Sequence, residues 1–199
     1  MKIFVYGFAH SGTTILRKLI GDHSQIYDYV DEVSDPPEMD DVVFKCPILP
    51  DERQNGCRRI MIIKNPYDIF GGFFLRFGDE YLSIPGHTIG DYENHVRHFL
   101  GTNDLRIKYE HLNEYSLPVL FDNLGLKYEG IKQRDALIGE GWQTPEECPA
   151  SQTEGPDHGY YRQWQINQPF RNMTGESQKY LPEETREILR NNKTIRLLY

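Results

Sequence analysis

The sequence predicts an α/β fold of three layers, in which helices flank a central, mainly parallel sheet on both sides. Apolar segments of strand length alternate along the chain with segments of helical periodicity, and this alternation is typical of parallel sheets. The first apolar segment also leads through a glycine-containing loop straight into a helical pattern, an order that favours anion binding at the helix start. The chain has 199 residues, the length of one domain. We therefore expect a single domain over residues 1–199.

Four strands and two helices are predicted in the first half of the chain. The strands are expected at residues 2–6, 26–30, 42–46 and 59–64, with an acidic, proline-containing loop at 31–41. The first helix follows the first loop and ends near Gly21. Asn65 and Pro66 predict the start of the second helix, which ends near Phe77, because asparagine caps a first turn and proline suits the first helical position.

The second half is predicted to contain one more strand and three helices. The strand is expected at residues 105–109, the helices at 91–100, 117–124 and 182–190, and a loop at 78–90. Between residues 125 and 159 the periodic pattern gives way to Gly, Pro, Gln and Glu. Long surface segments of this kind often cover a binding site. Residues 127–160 are therefore predicted to form a lid or substrate loop.

The composition excludes several classes of function. With a formal net charge of −8 and a pI near 5.4, the chain is not expected to bind nucleic acid or an anionic membrane, so any anion must be bound locally. The sequence has no apolar run of the length that spans a bilayer, about 18 residues, and the first strand starts at Lys2. We expect no signal peptide and a cytoplasmic location. Cys46, Cys57 and Cys148 are odd in number and widely spaced, which favours reduced thiols over disulfides or a zinc site.

The loop after the first strand reads Gly7-Phe8-Ala9-His10-Ser11-Gly12-Thr13-Thr14. Backbone N–H groups and the positive end of the helix dipole converge at such a loop and favour an anion. The loop of nucleotide hydrolases, Gly-x-x-x-x-Gly-Lys-Ser/Thr, uses its lysine for the outer phosphates and its hydroxyl for magnesium. Thr13 stands in the place of that lysine. The loop thus predicts an anion site that differs from that of nucleotide hydrolases.

Three stretches carry a resemblance to a known family, in matching order and spacing. They are Ala9-His10-Ser11-Gly12-Thr13-Thr14, then Arg59 to Asp68 with Lys64-Asn65-Pro66-Tyr67-Asp68 at its end, and finally Lys108-Tyr109-Glu110-His111-Leu112 followed by Phe121 to Leu126. They resemble the Ser-Gly-Thr-Thr loop, the strand ending in Arg-Asn/Asp-Pro-x-Asp, and the Tyr-Glu-Asp-Leu and Phe-Leu-Gly-Leu stretch of the sulfotransferase family. The resemblance covers residues 1–126 and beyond them only Arg162, Trp164 and Leu198-Tyr199.

This resemblance implies a P-loop-type α/β fold and a donor, 3'-phosphoadenosine 5'-phosphosulfate (PAPS). Ser11, Gly12, Thr13 and Thr14 are then expected to hold the 5'-phosphosulfate, and His10 stands where the family usually has Lys or Arg. In this position His10 would assist the bridging oxygen as negative charge develops there. The alternative, that His10 is only a loop residue, stays open. No metal is expected, because a sulfuryl group carries less charge than a γ-phosphoryl group and N–H groups with one or two cations suffice.

For the 3'-phosphate of PAPS, the resemblance implies a site at the end of the fourth strand. Lys64 replaces the family's arginine, and Gly72 stands where the family has a serine hydroxyl. Arg76, one turn further on, is a candidate to compensate for that loss, or else a solvated arginine of an amphipathic helix. Arg162 is a further candidate donor ligand, on a weaker match.

Transfer to a hydroxyl needs a group that accepts its proton. The stretch Phe44-Lys45-Cys46-Pro47 lacks the histidine that many members of the family place there. Other branches use a glutamate after the second strand, and Glu32, followed by Asp31, is the best match. Both carboxylates could instead belong to a solvated acidic loop. The resemblance implies that Lys45 faces the transferred sulfuryl group, because members of the family often carry a lysine on this strand. Otherwise its burial between apolar neighbours would need a carboxylate partner.

Three functions stay open after the sequence alone. The first is a PAPS-dependent sulfotransferase that acts on a small-molecule or saccharide acceptor. The second is a non-catalytic nucleotide-binding relative, since His10, Lys64 and Gly72 all depart from the family pattern. The third is a P-loop kinase, which the missing loop lysine disfavours. Trp142, Tyr160, Tyr161 and Trp164 could stack on an acceptor ring or anchor the lid.

Overall fold

The computed structural model of the chain describes residues 1–113, 115–130, 175 and 177–199. Within these residues, five strands form one sheet in which every pairing is parallel. The strands are β1 (Lys2–Tyr6), β2 (Tyr27–Glu32), β3 (Val42–Cys46), β4 (Arg58–Ile63) and β5 (Leu105–Lys108). The predicted parallel sheet is confirmed, and the bounds of β1 and β3 agree with the prediction.

The strand order is β2-β3-β1-β4-β5, which places β1 at the centre between β3 and β4. Because the strands are parallel, their carboxyl ends meet at one edge, and open α/β sheets bind ligands at that edge. The loop after β1 therefore starts beside the residues that follow β3 and β4. The sequence predicts site residues near the carboxyl ends of these three strands and at that of β2, where Glu32 lies.

Five α-helices accompany the sheet in the described part of the chain. They are α1 (Thr13–Gly21), α2 (Pro66–Phe77), α3 (Ile89–Gly101), α4 (Ser116–Asn123) and α5 (Glu183–Asn191). Short 3-10 helices lie at Glu52–Gln54, Gly78–Leu82, Tyr109–His111, Ser177–Tyr180 and Ile195–Leu197. The 3-10 helix at Ser177–Tyr180 packs closely on α2.

The sheet is covered on both faces by separate apolar cores. Alternate residues of β1 point to opposite faces, so that Ile3 and Val5 join a largely aliphatic core with α1 and α4. Phe4 and Tyr6 join a core rich in aromatic rings, which α2, α3 and α5 cover. All four side chains are fully buried. The predicted arrangement of three layers is thereby confirmed.

The second strand differs from the prediction. It ends at Glu32 instead of residue 30, so the expected loop at 31–41 begins later. Its pairing with β3 shifts register between Asp28 and Glu32, and the Val33 N–H still donates to the Lys45 carbonyl at 3.2 Å. Acidic residues can extend this strand because its pairing uses backbone groups and because Glu32 lies against a cation of β3.

The predicted loop at 78–90 also contains regular structure. Residues Gly78–Leu82 form a 3-10 helix, in which Tyr81 is buried. The next helix, α3, starts at Ile89, two residues before the prediction. Thr88 and Asp91 cap its start reciprocally: the Asp91 N–H donates to Thr88 Oγ1 and the Thr88 N–H to Asp91 Oδ2, both at 3.1 Å. The Thr-x-x-Asp sequence was a signal for this capping box.

Candidate functional site

Two glycines let the loop after β1 lie close against its neighbours. A Cβ at Gly7 would lie 2.1 Å from the Ile62 carbonyl oxygen of β4, so no other residue fits there without a shift of the strand. Gly12 has a φ of 100°, in the left-handed region that favours glycine. A Cβ at Gly12 would lie 2.5 Å from the ring of Tyr109. The loop is thus pressed between β4 and Tyr109.

Backbone N–H groups are left open at the start of α1. The first helical hydrogen bond runs from the Leu16 N–H to the Gly12 carbonyl at 3.0 Å. Among the described residues, no carbonyl accepts the N–H groups of Thr13, Thr14 or Ile15, the groups that a helix cannot satisfy internally. The Ser11 N–H, by contrast, donates to the Phe8 carbonyl at 3.0 Å. The Ser11 N–H is therefore not among the open amides, whereas those of the first turn of α1 are.

The Ser11 side chain adds a second observation at the same place. Its hydroxyl is fully buried, and it has no hydrogen-bond partner within the described part of the chain. A buried polar group without a partner costs free energy, and an anion at the helix start would provide an acceptor for it. Open amides and an unpartnered hydroxyl therefore fit a phosphate or sulfate group.

Lys64 lies close to this loop. Its Nζ is 4.6 Å from the centre of the Tyr109 ring, the same ring that limits the space at Gly12. Burial lowers the pKa of Lys64, and the neighbouring carboxylates of Asp68 and Glu110 partly oppose that shift. The half-buried ammonium thus lies beside the glycine loop at the carboxyl end of β4, where the sequence placed it.

The two carboxylates near Lys64 are both engaged by backbone groups. Asp68 is buried and accepts from the Gly175 N–H at 2.9 Å through both oxygens. Glu110 accepts from the Asn65 N–H at 2.6 Å. Asn65 caps α2 by accepting from the Tyr67 N–H at 2.9 Å, as predicted. Asp68 and Glu110 therefore bind the backbone at Gly175 and Asn65, and both oppose the lowering of the Lys64 pKa.

Gly71 and Gly72 face the 3-10 helix at Ser177–Tyr180. A Cβ at Gly71 would lie 2.1 Å from the Ser177 carbonyl oxygen, so the close approach requires glycine there. A Cβ at Gly72 would meet only the Ser177 hydroxyl oxygen, at 3.9 Å. The space into which a side chain at position 72 would project is thus bordered by a serine hydroxyl from a distant part of the chain. Ser177 was not predicted as a site residue, because no local signal in the sequence connects it with Gly72.

Glu32 and Lys45 contact each other directly at the other side of β1. The Lys45 ammonium donates to Glu32 Oε1 in a close ion pair. Lys45 is buried, with 2% of its side chain exposed, whereas 29% of the Glu32 side chain is exposed. The carboxylate partner that the burial of Lys45 demanded is therefore Glu32, one of the two residues predicted as the base. Two of the three predicted catalytic residues, Glu32 and Lys45, therefore form one ion pair.

His10 and Arg76 also meet. His10 adopts a left-handed backbone conformation, with φ 61°. Its Nε2 lies 3.3 Å from Arg76 Nη1, and its ring stands edge-on to Phe73 with centres 4.8 Å apart. Arg76 was predicted as a substitute near Gly72, and the structure places it against the glycine loop.

A buried arginine of α1 was not predicted as part of the site. Arg17 is fully buried, pairs with Asp28 at 2.8 Å and donates to the Tyr29 carbonyl at 2.6 Å. It fixes α1 against β2, the strand that ends at Glu32. The burial of Arg17 could have been predicted from the sequence, because residues 13, 16, 17 and 20 form one face of a helix. All four residues are buried.

Several predicted features fall outside the described residues. They are Arg162, Trp142, Tyr160, Tyr161 and Trp164, and residues 131–160 of the predicted lid. In the part that is described, no group of three or more His, Cys, Asp or Glu could hold a metal ion. No helix among the described residues has the length and apolar character needed to cross a membrane.

Comparisons with known proteins place this geometry in a fold family. The sequence matches no protein-family model and no curated protein. The structure is similar to retinol dehydratase in complex with androsterone and the inactive cofactor PAP, with TM-score 0.57 and 14% identity over 98% of this chain and 79% of that chain. It is also similar to retinol dehydratase in complex with retinol and PAP, with TM-score 0.55 and 13% identity over 94% and 78% of the two chains.

The chain therefore has the sulfotransferase fold, and the resemblance drawn from the three sequence motifs is confirmed at the level of fold. An identity of 13–14% shows the fold alone. The activity and the roles of individual residues must be argued from the site.

Proposed function

We propose that the protein is a PAPS-dependent sulfotransferase, which transfers a sulfuryl group from PAPS to a hydroxyl or amine of a small-molecule or saccharide acceptor. The observation that supports this most is the glycine loop. Its first-turn amides and the Ser11 hydroxyl are open to an anion, it lacks the lysine of nucleotide hydrolases, and Lys64 lies beside it. The similar fold of retinol dehydratase, whose solved structures contain PAP, agrees with this donor.

In this proposal the donor lies along the carboxyl edge of the sheet. Ser11, Gly12, Thr13 and Thr14 hold its 5'-phosphosulfate through amides and hydroxyl groups. Lys64 binds the 3'-phosphate as a point charge. The Ser177 hydroxyl stands in for the serine that Gly72 lacks, and Arg162 is a further proposed ligand.

The donor supplies an activated sulfuryl group, and the protein supplies the base and the charge around it. Glu32 takes the proton of the acceptor hydroxyl while that oxygen forms a bond to sulfur. The bond between sulfur and the bridging oxygen breaks, and the electron pair leaves with the 5'-phosphate. His10 stabilises the charge on that oxygen, and Lys45 holds the Glu32 carboxylate in place through their ion pair.

Ligand-dependent melting tests the donor class. PAP (adenosine 3',5'-bisphosphate) at 100 times its Kd should stabilise the fold by about 2.7 kcal/mol. For a domain of this size that raises the melting temperature by about 5–10 °C. ATP with magnesium should have a much smaller effect. A rise with ATP and magnesium alone would favour the kinase, and no rise with either nucleotide would contradict the proposal.

The base is tested by Glu32→Gln. We expect a fall in turnover of about 100- to 10,000-fold with unchanged affinity for PAP, because Glu32 lies at the end of β2 and is not one of the proposed phosphate ligands. Glu38→Gln, in the exposed part of the same acidic segment, is the matched control and should leave turnover within about twofold. Turnover is measured as the mass gain of one sulfuryl group on acceptors from a broad panel. Equal activities of the two variants would assign Glu32 to the solvated acidic loop.

A non-catalytic nucleotide-binding protein is the second candidate. The observation in its favour is that His10, Lys64 and Gly72 differ from the family pattern at three proposed donor contacts. It predicts a melting shift with PAP but no sulfuryl transfer to any acceptor of the panel.

We further expect the protein in the cytoplasm, in agreement with the free thiols of Cys46 and Cys57, whose pKa values are both raised by burial.

A further inference from the structure

The peptide group that joins Lys64 to Asn65 is held on both of its sides. Its carbonyl, that of Lys64, accepts from the buried Tyr92 hydroxyl at 2.7 Å. Its N–H, that of Asn65, donates to Glu110 Oε1 at 2.6 Å. The carbonyl and the N–H of a trans peptide point in opposite directions, so these two contacts together fix the orientation of the peptide. They thereby fix the backbone from which the Lys64 side chain extends.

Tyr199 contacts both of the side chains that hold this peptide. Its hydroxyl donates to Glu110 Oε2, the other oxygen of the same carboxylate, at 3.3 Å. The phenol is also within hydrogen-bond distance of Tyr92. The pKa of Tyr199 is raised, mainly because burial disfavours the phenolate and further because Glu110 carries a negative charge. The hydroxyl of Tyr199 therefore keeps its proton and can donate at neutral pH.

A separate set of contacts brings the Tyr199 ring to this place. The Glu93 carboxylate of α3 accepts from Thr194 Oγ1 at 2.8 Å, which attaches the preceding segment to the helix. The Lys108 ammonium donates to the Leu198 carbonyl at 2.6 Å and lies over the Tyr199 ring, 4.6 Å from its centre. These contacts do not involve the Tyr199 hydroxyl, so the ring should keep its place when the hydroxyl is removed.

We infer that Tyr199 is a positioning residue for recognition of the 3'-phosphate. Its hydroxyl orients the Glu110 carboxylate that holds the Asn65 N–H, and the peptide held in this way sets the direction of the Lys64 side chain. The inference rests on the proposed function, in which Lys64 binds the 3'-phosphate, and extends it. Lysine is a point charge on a flexible four-carbon stem, so its backbone has to be fixed if the ammonium is to favour one phosphate.

The experiment compares PAP with AMP, which lacks the 3'-phosphate, by titration calorimetry. Tyr199→Phe removes the hydroxyl and keeps the ring beside Lys108. We expect PAP binding to weaken about fivefold, the order of one hydrogen bond, and AMP binding to change less than about twofold. Tyr180→Phe is the matched control, because a lysine also lies over that ring, with Lys179 Nζ 4.9 Å from its centre. Neither affinity should change in the control.

A double-mutant cycle tests whether the hydroxyl acts through Glu110. In a Glu110→Gln background the negative charge is gone, but a carbonyl oxygen can still accept from the Asn65 N–H. Tyr199→Phe should then weaken PAP binding less than about twofold, because a hydrogen bond to a neutral group contributes less than one to a charged group.

A second readout does not depend on any nucleotide. Hydrogen exchange of the Asn65 amide reports directly how firmly its N–H is held. We expect this exchange to be about fivefold faster in Tyr199→Phe, for the loss of one hydrogen bond, and unchanged in Tyr180→Phe. Thermal unfolding checks that each variant is folded.

The possible outcomes separate the inference from the function on which it rests. If the wild type prefers PAP to AMP and folded Tyr199→Phe keeps that preference, the inference is wrong and the proposed donor stands. Equal losses in the wild-type and Glu110→Gln backgrounds, or an Asn65 amide that exchanges at the wild-type rate, also overturn the inference. If the wild type does not bind PAP at all, the proposed function is wrong, and the role of Tyr199 toward a 3'-phosphate is overturned with it.

Discussion

The two ends of the proposed donor site are built in different ways. At the glycine loop, the groups that face an anion are backbone amides of one continuous segment, together with the Ser11 hydroxyl. At the Lys64 end, side chains come from separate parts of the chain: Lys64 follows β4, Tyr109 follows β5, and Ser177 lies in a distant 3-10 helix. The first end depends on close packing around glycine, and the second depends on side chains from separate segments of the chain.

This difference explains where the sequence can depart from the family pattern. A backbone site tolerates many side chains but not the loss of its glycines, since Gly7 and Gly12 each leave no room for a Cβ. A side-chain site tolerates exchange, because a hydroxyl can arrive from another segment. In the proposed site, Ser177 beside Gly72 would be such an exchange.

The largest effect is expected from Gly7→Ala. The new Cβ would overlap the Ile62 carbonyl oxygen, a backbone atom of β4 that cannot move freely. We expect a loss of about 3 kcal/mol or more in the free energy of unfolding, measured by urea titration. The Gly7→Ala protein that still folds should show no melting shift with PAP, because its loop can no longer lie against β4.

Gly101→Ala is the matched control for this change. Nothing lies within 4 Å of a Cβ at Gly101, and the residue ends α3. We expect the free energy of unfolding to change by less than about 0.5 kcal/mol. A Gly7→Ala protein as stable as Gly101→Ala would show that the loop is not held as tightly as the structure indicates.

The exchange at the Lys64 end is tested by Ser177→Ala and Gly72→Ser. A hydrogen bond to a charged group contributes about 1.5–3 kcal/mol, so Ser177→Ala should weaken PAP binding about 10-fold. AMP, which lacks the 3'-phosphate, should bind as before. Adding Gly72→Ser returns the hydroxyl to α2, where the site admits a Cβ without overlap. Titration calorimetry should then show PAP affinity restored to within about threefold.

The ratio of PAP to AMP affinity decides between the explanations. Equal losses for PAP and AMP would mean that Ser177 supports the packing of its segment on α2 and not the 3'-phosphate. A wild-type protein that binds PAP and AMP equally would place no 3'-phosphate site here at all.

The contrast between one continuous segment and side chains from separate segments also determines what could be predicted from the sequence. The sheet, α2 and the glycine loop depend on contiguous patterns, and the structure agrees with them within a few residues. The end of β2 and the start of α3 were misplaced by two residues, the first because a polar strand pairs through its backbone, the second because the Thr88-Asp91 capping box was overlooked. In both cases local chemistry outweighed the apolar pattern.

The predicted site residues fall into two groups for the same physical reason. The positions of Lys64 and Lys45 near the carboxyl ends of neighbouring strands follow from the parallel sheet, whereas their roles toward a donor stay predictions. The direct contact of Lys45 with Glu32 was anticipated only as a need for some carboxylate partner. Contacts between segments far apart in sequence, such as Gly72 with Ser177 or His10 with Arg76, arise from helix packing and have no local signal.

The smallest effect concerns the charge of Lys64. Its pKa in the folded protein is lowered mainly by burial, so between that lowered value and the ordinary value near 10.5 the unfolded chain binds more protons than the native one. Stability must therefore rise with pH across this interval, and the cost of burying the ammonium is fully present at pH 7. Lys64→Met should increase the free energy of unfolding at pH 7, by at most about 1 kcal/mol, and this gain should shrink toward pH 10.

The exposed Lys127 provides the control, because Lys127→Met should change stability by less than about 0.5 kcal/mol at either pH. A Lys64→Met protein that is no more stable than the wild type at pH 7, or that keeps its gain at pH 10, would contradict the burial of a charged amine. If the gain is found while the variant binds PAP no better than AMP, the lysine lowers stability and confers recognition of the 3'-phosphate at the same time. A side-chain site would then carry a stability cost that the loop of backbone amides avoids.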